Sequence, residues 1–115
     1  MKNLDRLGMY MYLIPLIVFG VLHFVNADAM SGMVPSYIPG GVIWVYITGT
    51  ALIIASLAVI IGKKAKLALQ LLGLMILLFA FILHFKNALT GDMSMFLKDF
   101  AIAGSAWWAS RRFDN

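Results

Sequence analysis

Four ionisable side chains lie within or at the ends of long apolar runs, where charge is costly: His23, His84, Lys98 and Asp99. Histidine can bind or release a proton near neutral pH, and a carboxylate in lipid requires a partner, a cavity or a proton. Such groups can exchange protons with a small ligand such as a quinone head group. Asn26 and Asp28 follow His23 closely. The predicted polar pocket near the outer face comprises His23, His84, Lys98, Asp99, Asn26 and Asp28.

Three other interpretations of these side chains stay open. Lys98 and Asp99 could form an ion pair that only fastens helices together. His23 and His84 could each be bonded to backbone or water at the membrane surface, with no further role. They could also be the two axial ligands of a haem, but two histidines on separate helices are a weak haem signal. No metal site is predicted.

Composition and motifs exclude several classes of function. The chain has no cysteine, which excludes disulfides, thiolate metal sites and cysteine nucleophiles. It has no glycine-rich phosphate motif, and Ser94, Ser105 and Ser110 have no adjacent base. The nine Lys and Arg residues are scattered between apolar runs and form no aromatic-interleaved basic face, so nucleic acid is not an expected partner.

The elements that must position the polar residues are membrane spans. Hydrophobic residues make up 63% of the chain and charged residues 12%, whereas a soluble domain has about 25% charged residues. A 115-residue chain cannot bury so much apolar surface within itself. Four segments approach the roughly 20 apolar residues that a span needs, at about residues 7–25, 42–61, 67–85 and 93–109. The sequence predicts an all-α integral membrane protein, a four-transmembrane-helix bundle forming a single domain over residues 1–115.

Basic residues indicate the orientation of these spans, because Lys and Arg accumulate in cytoplasmic loops. Most of them lie before span one, between spans two and three, or after span four: Lys2, Arg6, Lys63, Lys64, Lys66, Arg111 and Arg112. Both termini are therefore predicted to be cytoplasmic. A helix rise of 1.5 Å per residue places Asp99 about 18 Å from Arg111, in the outer half of the membrane. As an alternative, span one could be a signal peptide cleaved at Ala27-Asp28-Ala29.

The first connection, residues 26–41, is the longest and contains two prolines. Each proline disfavours regular helix, and Pro39-Gly40-Gly41 suits a turn into the second span. Pro35, Tyr37 and Pro39 are candidates for a lid over the outer pocket. The same residues could instead form an apolar cap in the membrane interface, which the pattern favours.

Short motifs follow one another along nearly the whole chain. They are Gly20-Val21-Leu22-His23-Phe24, Val34-Pro35 with Pro39, Thr48-Gly49, a basic turn after Gly62, and Lys98-Asp99-Phe100-Ala101-Ile102-Ala103-Gly104. Their order and spacing resemble the DoxX family of small four-span bacterial membrane proteins. One difference is Leu52, which takes the place of a glutamate that many members have shortly after the glycine of span two.

The resemblance implies a multi-pass protein of the bacterial cytoplasmic (inner) membrane. The DoxX family includes relatives of a subunit of thiosulfate:quinone oxidoreductase and proteins linked to redox or sulfur stress. The expected function is therefore a quinone-interacting or redox-associated subunit, more an accessory than a self-sufficient enzyme. Its partners would be the lipid bilayer, a redox protein that supplies electrons, and further copies of itself in a homo-oligomer. The alternatives are a non-catalytic scaffold or lipid- or small-molecule-binding protein, and a haem-binding electron carrier.

Overall fold

The computed structural model describes residues 2–91 and 93–114, except the side chains of Lys2, Lys86 and Asn87. All regular structure in these residues is helical, which confirms the predicted all-α class. The α-helices are α1 (Lys2–Val25), α2 (Ala27–Ser31), α3 (Val42–Ile61), α4 (Ala65–Phe79), α5 (Phe85–Leu89) and α6 (Ser94–Ser110). A π-helical turn, Ala80–His84, connects α4 to α5.

Three helical segments of the described chain are long and apolar enough to cross a membrane: Asn3–Val25, Val42–Ile61 and Ala65–His84. At most 33% of the most apolar stretch of each segment is buried within the protein. The remaining apolar surface would be unfavourable in water, since apolar groups gain free energy when they leave it. The chain is therefore a membrane-embedded helical protein.

The fourth predicted span corresponds to α6, which is shorter than the other three. Helix α6 has 17 residues, and at 1.5 Å per residue its length is about 25 Å. A hydrocarbon layer of about 30 Å is slightly thicker than this. Length and composition alone therefore identify three candidate spans, and the role of α6 depends on its packing.

The chain divides into two compact units, Met1–Ile61 and Gly62–Asn115. In the first unit, α1 packs against α3, and the short helix α2 contacts both. The two long helices approach closely at Gly20 and Gly49. A Cβ atom on Gly49 would lie 2.7 Å from the Cβ of His23 and 2.9 Å from the carbonyl oxygen of Gly20. Glycine at both positions lets the backbones approach this closely, as is common between membrane helices.

In the second unit, α6 packs antiparallel along α4 and the π-turn. The indole Nε1 of Trp107 donates a hydrogen bond to the carbonyl of Gln70 at 3.0 Å, and His84 meets Asp99 further along. Gly73 makes room for the indole, because a Cβ there would lie 2.5 Å from Nε1 of Trp107. The Trp107–Gln70 bond and the His84–Asp99 contact thus join the two arms of this hairpin at two points along its length.

Candidate functional site

The π-turn Ala80–His84 determines the direction of His84. The buried face of α4 continues through Ile76 and Ala80 to His84, at steps of four residues. In an α-helix, residues four apart drift round the axis because one turn takes 3.6 residues. A π-turn has i→i+5 hydrogen bonds and therefore uses more residues per turn. The turn thus keeps His84 on the buried face, directed at α6.

His84 and Asp99 form a close imidazole–carboxylate pair. The Nε2 atom of His84 lies 3.2 Å from Oδ2 of Asp99, and the two side chains are only 7% and 15% exposed. At this distance a proton can reside on either partner, giving an ion pair or a neutral hydrogen-bonded pair. The pair is therefore a protonatable group held between two helices of the second unit.

Lys98 lies beside this pair at the exposed edge. Its ammonium Nζ is 4.0 Å from Oδ1 of Asp99, and its side chain is half-exposed. The same Nζ lies 3.7 Å from the sulfur of Met95. Lys98 thus combines contact with Asp99 and access to the surroundings, as a snorkelling lysine does. The second unit brings together three of the predicted pocket residues: His84, Lys98 and Asp99.

Four phenylalanines close to His84 and Asp99 in sequence pack against one another. Phe96 on α6 packs edge-on against Phe81 at 5.3 Å between ring centroids, and lies 5.7 Å from Phe85 and 5.8 Å from Phe100. Phe85 follows His84 directly and Phe81 precedes it by three residues, and Phe100 and Phe96 stand in the same positions relative to Asp99. Phe81, Phe85 and Phe100 are 40–50% exposed. The polar pair thus lies next to an accessible apolar aromatic surface, the phenylalanine cluster.

His23 has a different environment in the first unit. Its Nδ1 lies 2.7 Å from the carbonyl oxygen of Phe19, one helical turn earlier. A carbonyl only accepts hydrogen bonds, so Nδ1 carries the proton and Nε2 is the acceptor when the ring is neutral. The Phe19 ring meets the His23 ring edge-on at 5.1 Å. His23 is thus bonded to its own helix.

The remaining predicted pocket residues also lie in the first unit. Asn26 and Asp28 are exposed at the junction of α1 and α2. The backbone N–H of Asn26 donates a hydrogen bond to the backbone carbonyl of Leu22 at 2.8 Å. The hydroxyl of Ser31 donates to the backbone carbonyl of Asp28 at 2.6 Å. Both contacts use main-chain atoms of the predicted residues. That these residues share a pocket with His84 and Asp99 stays a prediction.

The candidate lid is anchored at its proline-rich end. Trp44 on α3 donates its indole N–H to the carbonyl of Pro39, and the amide of Ile38 donates to the carbonyl of Pro35 at 3.0 Å. Tyr37, between the prolines, is 77% exposed. The segment is a hydrogen-bonded turn with an outward tyrosine, and its role as lid or interfacial cap stays a prediction.

Several features of the site were not predicted from the sequence. The π-turn has no proline or glycine to mark it, and Trp107 gives no sign of its bond to Gln70. The phenylalanine cluster did have a signal, because Phe81 and Phe85, like Phe96 and Phe100, are four residues apart. Leu52 is buried where α1 and α3 meet, so an acid is absent from that contact. Across residues 2–91 and 93–114, no three His, Cys, Asp or Glu side chains are grouped to hold a metal ion.

Comparison with known proteins gives one match. Residues 13–95 match the model of a family described as Domain of unknown function (DUF8561), and the chain belongs to that family. The matched region includes His23 and His84 and ends before Asp99. No curated protein matches the chain. No solved structure matches it either.

Proposed function

We propose that this member of the DUF8561 family is a four-span protein of the bacterial cytoplasmic membrane that binds a quinone head group beside His84 and Asp99. The observation that carries the proposal is the imidazole–carboxylate pair, in which His84 is buried and Asp99 is 15% exposed, with 3.2 Å between Nε2 and Oδ2. Ionisable groups within membrane segments are costly, and those that persist commonly line ligand or proton pathways. The resemblance to the DoxX family, which includes relatives of a quinone oxidoreductase subunit, supports the same ligand class.

The packing of α6 supports a fourth span. Helix α6 accompanies the candidate span Ala65–His84 from the Trp107–Gln70 hydrogen bond to the His84–Asp99 pair. A helix that runs beside a spanning segment over this length crosses the same layer. Its length of about 25 Å can be matched by local thinning of the bilayer. With four spans, both termini lie on the cytoplasmic side, with the larger group of basic residues.

The geometry suits proton exchange with a quinone. Two-electron reduction of a quinone takes up two protons, one on each carbonyl oxygen. In the proposed complex, the His84–Asp99 pair donates one proton to the nearer oxygen and is reprotonated from water, and the second proton comes from water. The two electrons come from a redox partner protein. The phenylalanine cluster offers aromatic faces on which the quinone ring can stack.

The proposal is tested by quinone binding to the purified protein. Protein in neutral detergent is first extracted with organic solvent to detect native quinone, and is then titrated with a short-tailed quinone analogue. D99N and H84Q each remove one partner of the pair, and each should weaken binding about 10- to 100-fold, the loss expected for a hydrogen bond to a charged group. D114N is the matched carboxylate control, because Asp114 is exposed beyond the end of α6.

Two results would overturn the proposal. One is wild-type protein that contains no quinone and binds no analogue. The other is wild-type affinity in both D99N and H84Q, which would place the ligand elsewhere. A stable co-purifying partner that H23A and H84A leave bound would then favour the scaffold alternative. A Soret band in the absorbance spectrum would favour the haem alternative.

A further inference from the structure

One end of the second unit is strongly basic. Because α4 and α6 are antiparallel, the start of α4 and the end of α6 lie at the same end of the hairpin, where Ala65 and Ser110 are both buried. Five cationic residues belong to this end: Lys63, Lys64, Lys66, Arg111 and Arg112. Asp114 is the one acidic residue described there. The net positive charge favours an anionic partner.

An open cavity of about 610 Å³ lies at this end. It is lined by Ser105, Trp108, Ala109, Arg111 and Arg112. Four of these residues follow the i, i+3, i+4, i+7 spacing of one helix face. Trp108 is 76% exposed, whereas its neighbour Trp107 is held on another face of α6 by Gln70. The cavity therefore combines a tryptophan wall with two guanidinium groups.

We infer that this cavity binds the phosphate of an anionic phospholipid head group, such as that of phosphatidylglycerol. Arginine binds phosphate oxygens through paired, charge-assisted hydrogen bonds. Tryptophan is enriched at the level of lipid head groups, and Trp108 lines the cavity together with the two arginines. A lipid fits better than free phosphate, because a lipid can fill the apolar part of the cavity with its glycerol and acyl chains. This inference uses none of the residues of the proposed quinone site.

The dipole of helix α6 makes the arginines essential to such binding. The C-terminal end of a helix carries partial negative charge on its last carbonyls, which disfavours an anion. Arg111 and Arg112 follow the last helical residue, Ser110, and their amides donate to the carbonyls of Trp108 and Ala109. The two guanidinium groups must therefore compensate the partial negative charge of the helix end as well as bind the phosphate. Loss of both should therefore abolish the preference for anionic lipid.

The test is a lipid titration of the full-length protein in neutral detergent micelles. Phosphatidylglycerol and phosphatidylcholine with brominated acyl chains quench tryptophan fluorescence on contact. The chain has three tryptophans, so the part of the quenching that W108F loses reports lipid near Trp108. The wild type should bind phosphatidylglycerol at least about 10-fold more tightly than phosphatidylcholine, and R111Q/R112Q should lower affinity for phosphatidylglycerol about 30-fold. The control K63Q/K64Q removes the same charge from the same end and should lose less than about threefold.

Other outcomes would overturn the inference. Equal losses in R111Q/R112Q and K63Q/K64Q would mean diffuse charge attraction without a site. Displacement of the lipid by inorganic phosphate, but not by chloride at equal ionic strength, would identify a free-anion site. If circular dichroism shows that R111Q/R112Q is unfolded, the wild type and W108F provide the test. Equal affinity of the wild type for both lipids would contradict lipid binding in the cavity. Quenching that is unchanged in W108F would contradict it as well.

Discussion

The two histidines of this protein are similar in sequence context and differ in structure. Both end an apolar helical run, and both are over 90% buried, with 8% exposure for His23 and 6% for His84. His23 bonds to the carbonyl of Phe19 in its own helix, and Gly49 of the neighbouring helix closes against its Cβ. His84 faces the carboxylate of Asp99 on another helix. A backbone carbonyl can only accept a hydrogen bond from the ring N–H, whereas a carboxylate can also bind the proton itself.

The difference arises from what packs against each histidine. In the first unit two glycines bring backbone against backbone at the crossing, which leaves little space for a polar partner. In the second unit a π-turn directs the histidine at a helix that carries an acid and two phenylalanines. Close helix packing thus leaves His23 bonded to its own helix, whereas the π-turn gives His84 an acidic partner on another helix.

The close packing of the first unit predicts the largest effect on stability. G49A should lower the free energy of unfolding by about 3 kcal/mol, because the new methyl group would overlap with His23 and with the backbone at Gly20. The measurement is unfolding in mixed micelles with increasing dodecyl sulfate, followed by circular dichroism. G104A is the control, since nothing lies within 4 Å of a Cβ there, and it should raise the free energy of unfolding by up to about 1 kcal/mol, because alanine favours helix more than glycine does. Equal losses in the two variants would contradict the close crossing.

The polar pair of the second unit predicts a non-additive effect. H84L and D99L should each lower the free energy of unfolding by about 2 kcal/mol, because each leaves its partner buried without the pair. H84L/D99L should be more stable than either single variant, since an apolar replacement of both partners restores packing. H23L is the comparison, with an expected loss of about 1 kcal/mol for one hydrogen bond. Simple additivity of H84L and D99L would mean that the two side chains do not interact.

The sequence predicted the helices better than their contacts. Apolar runs and basic turns identify three spans to within a few residues, and the fourth segment coincides with α6. His84, Lys98 and Asp99 were predicted to share a pocket with His23, Asn26 and Asp28, because counting along the spans places all six towards the outer side of the membrane. A bond from His23 to backbone was one of the alternatives, but the sequence could not select it, because a bond to the helix's own carbonyl leaves no pattern in side-chain types. The π-turn was not predictable, because Ala80–His84 contains no residue of special backbone preference.

Trp107 and Trp108 offer a comparison within one helix. W107F should lower the free energy of unfolding by about 1 kcal/mol, because it removes the indole hydrogen bond to the carbonyl of Gln70. W108F should change it by less than about 0.5 kcal/mol, because the Trp108 ring is largely exposed. Both are read from the same detergent unfolding curves. A larger loss in W108F than in W107F would contradict the role of Trp107 in joining α4 and α6.

Two buried serines, one in each unit, differ in whether their hydroxyl has a hydrogen-bond partner among the described residues, and they predict the smallest changes in stability. The hydroxyl of Ser56 on α3 is fully buried and has no hydrogen-bond partner in the described part of the first unit, whereas the hydroxyl of Ser110 donates to the carbonyl of Trp107 at 2.6 Å. S56A should raise the free energy of unfolding by about 0.5 kcal/mol, because alanine removes an unsatisfied polar group and favours helix. S110A should lower it by a similar amount, because it removes a bond that is made. A loss of stability in S56A would mean that its hydroxyl has a partner, such as a buried water, and that the α1–α3 contact is less tightly closed than its glycines suggest.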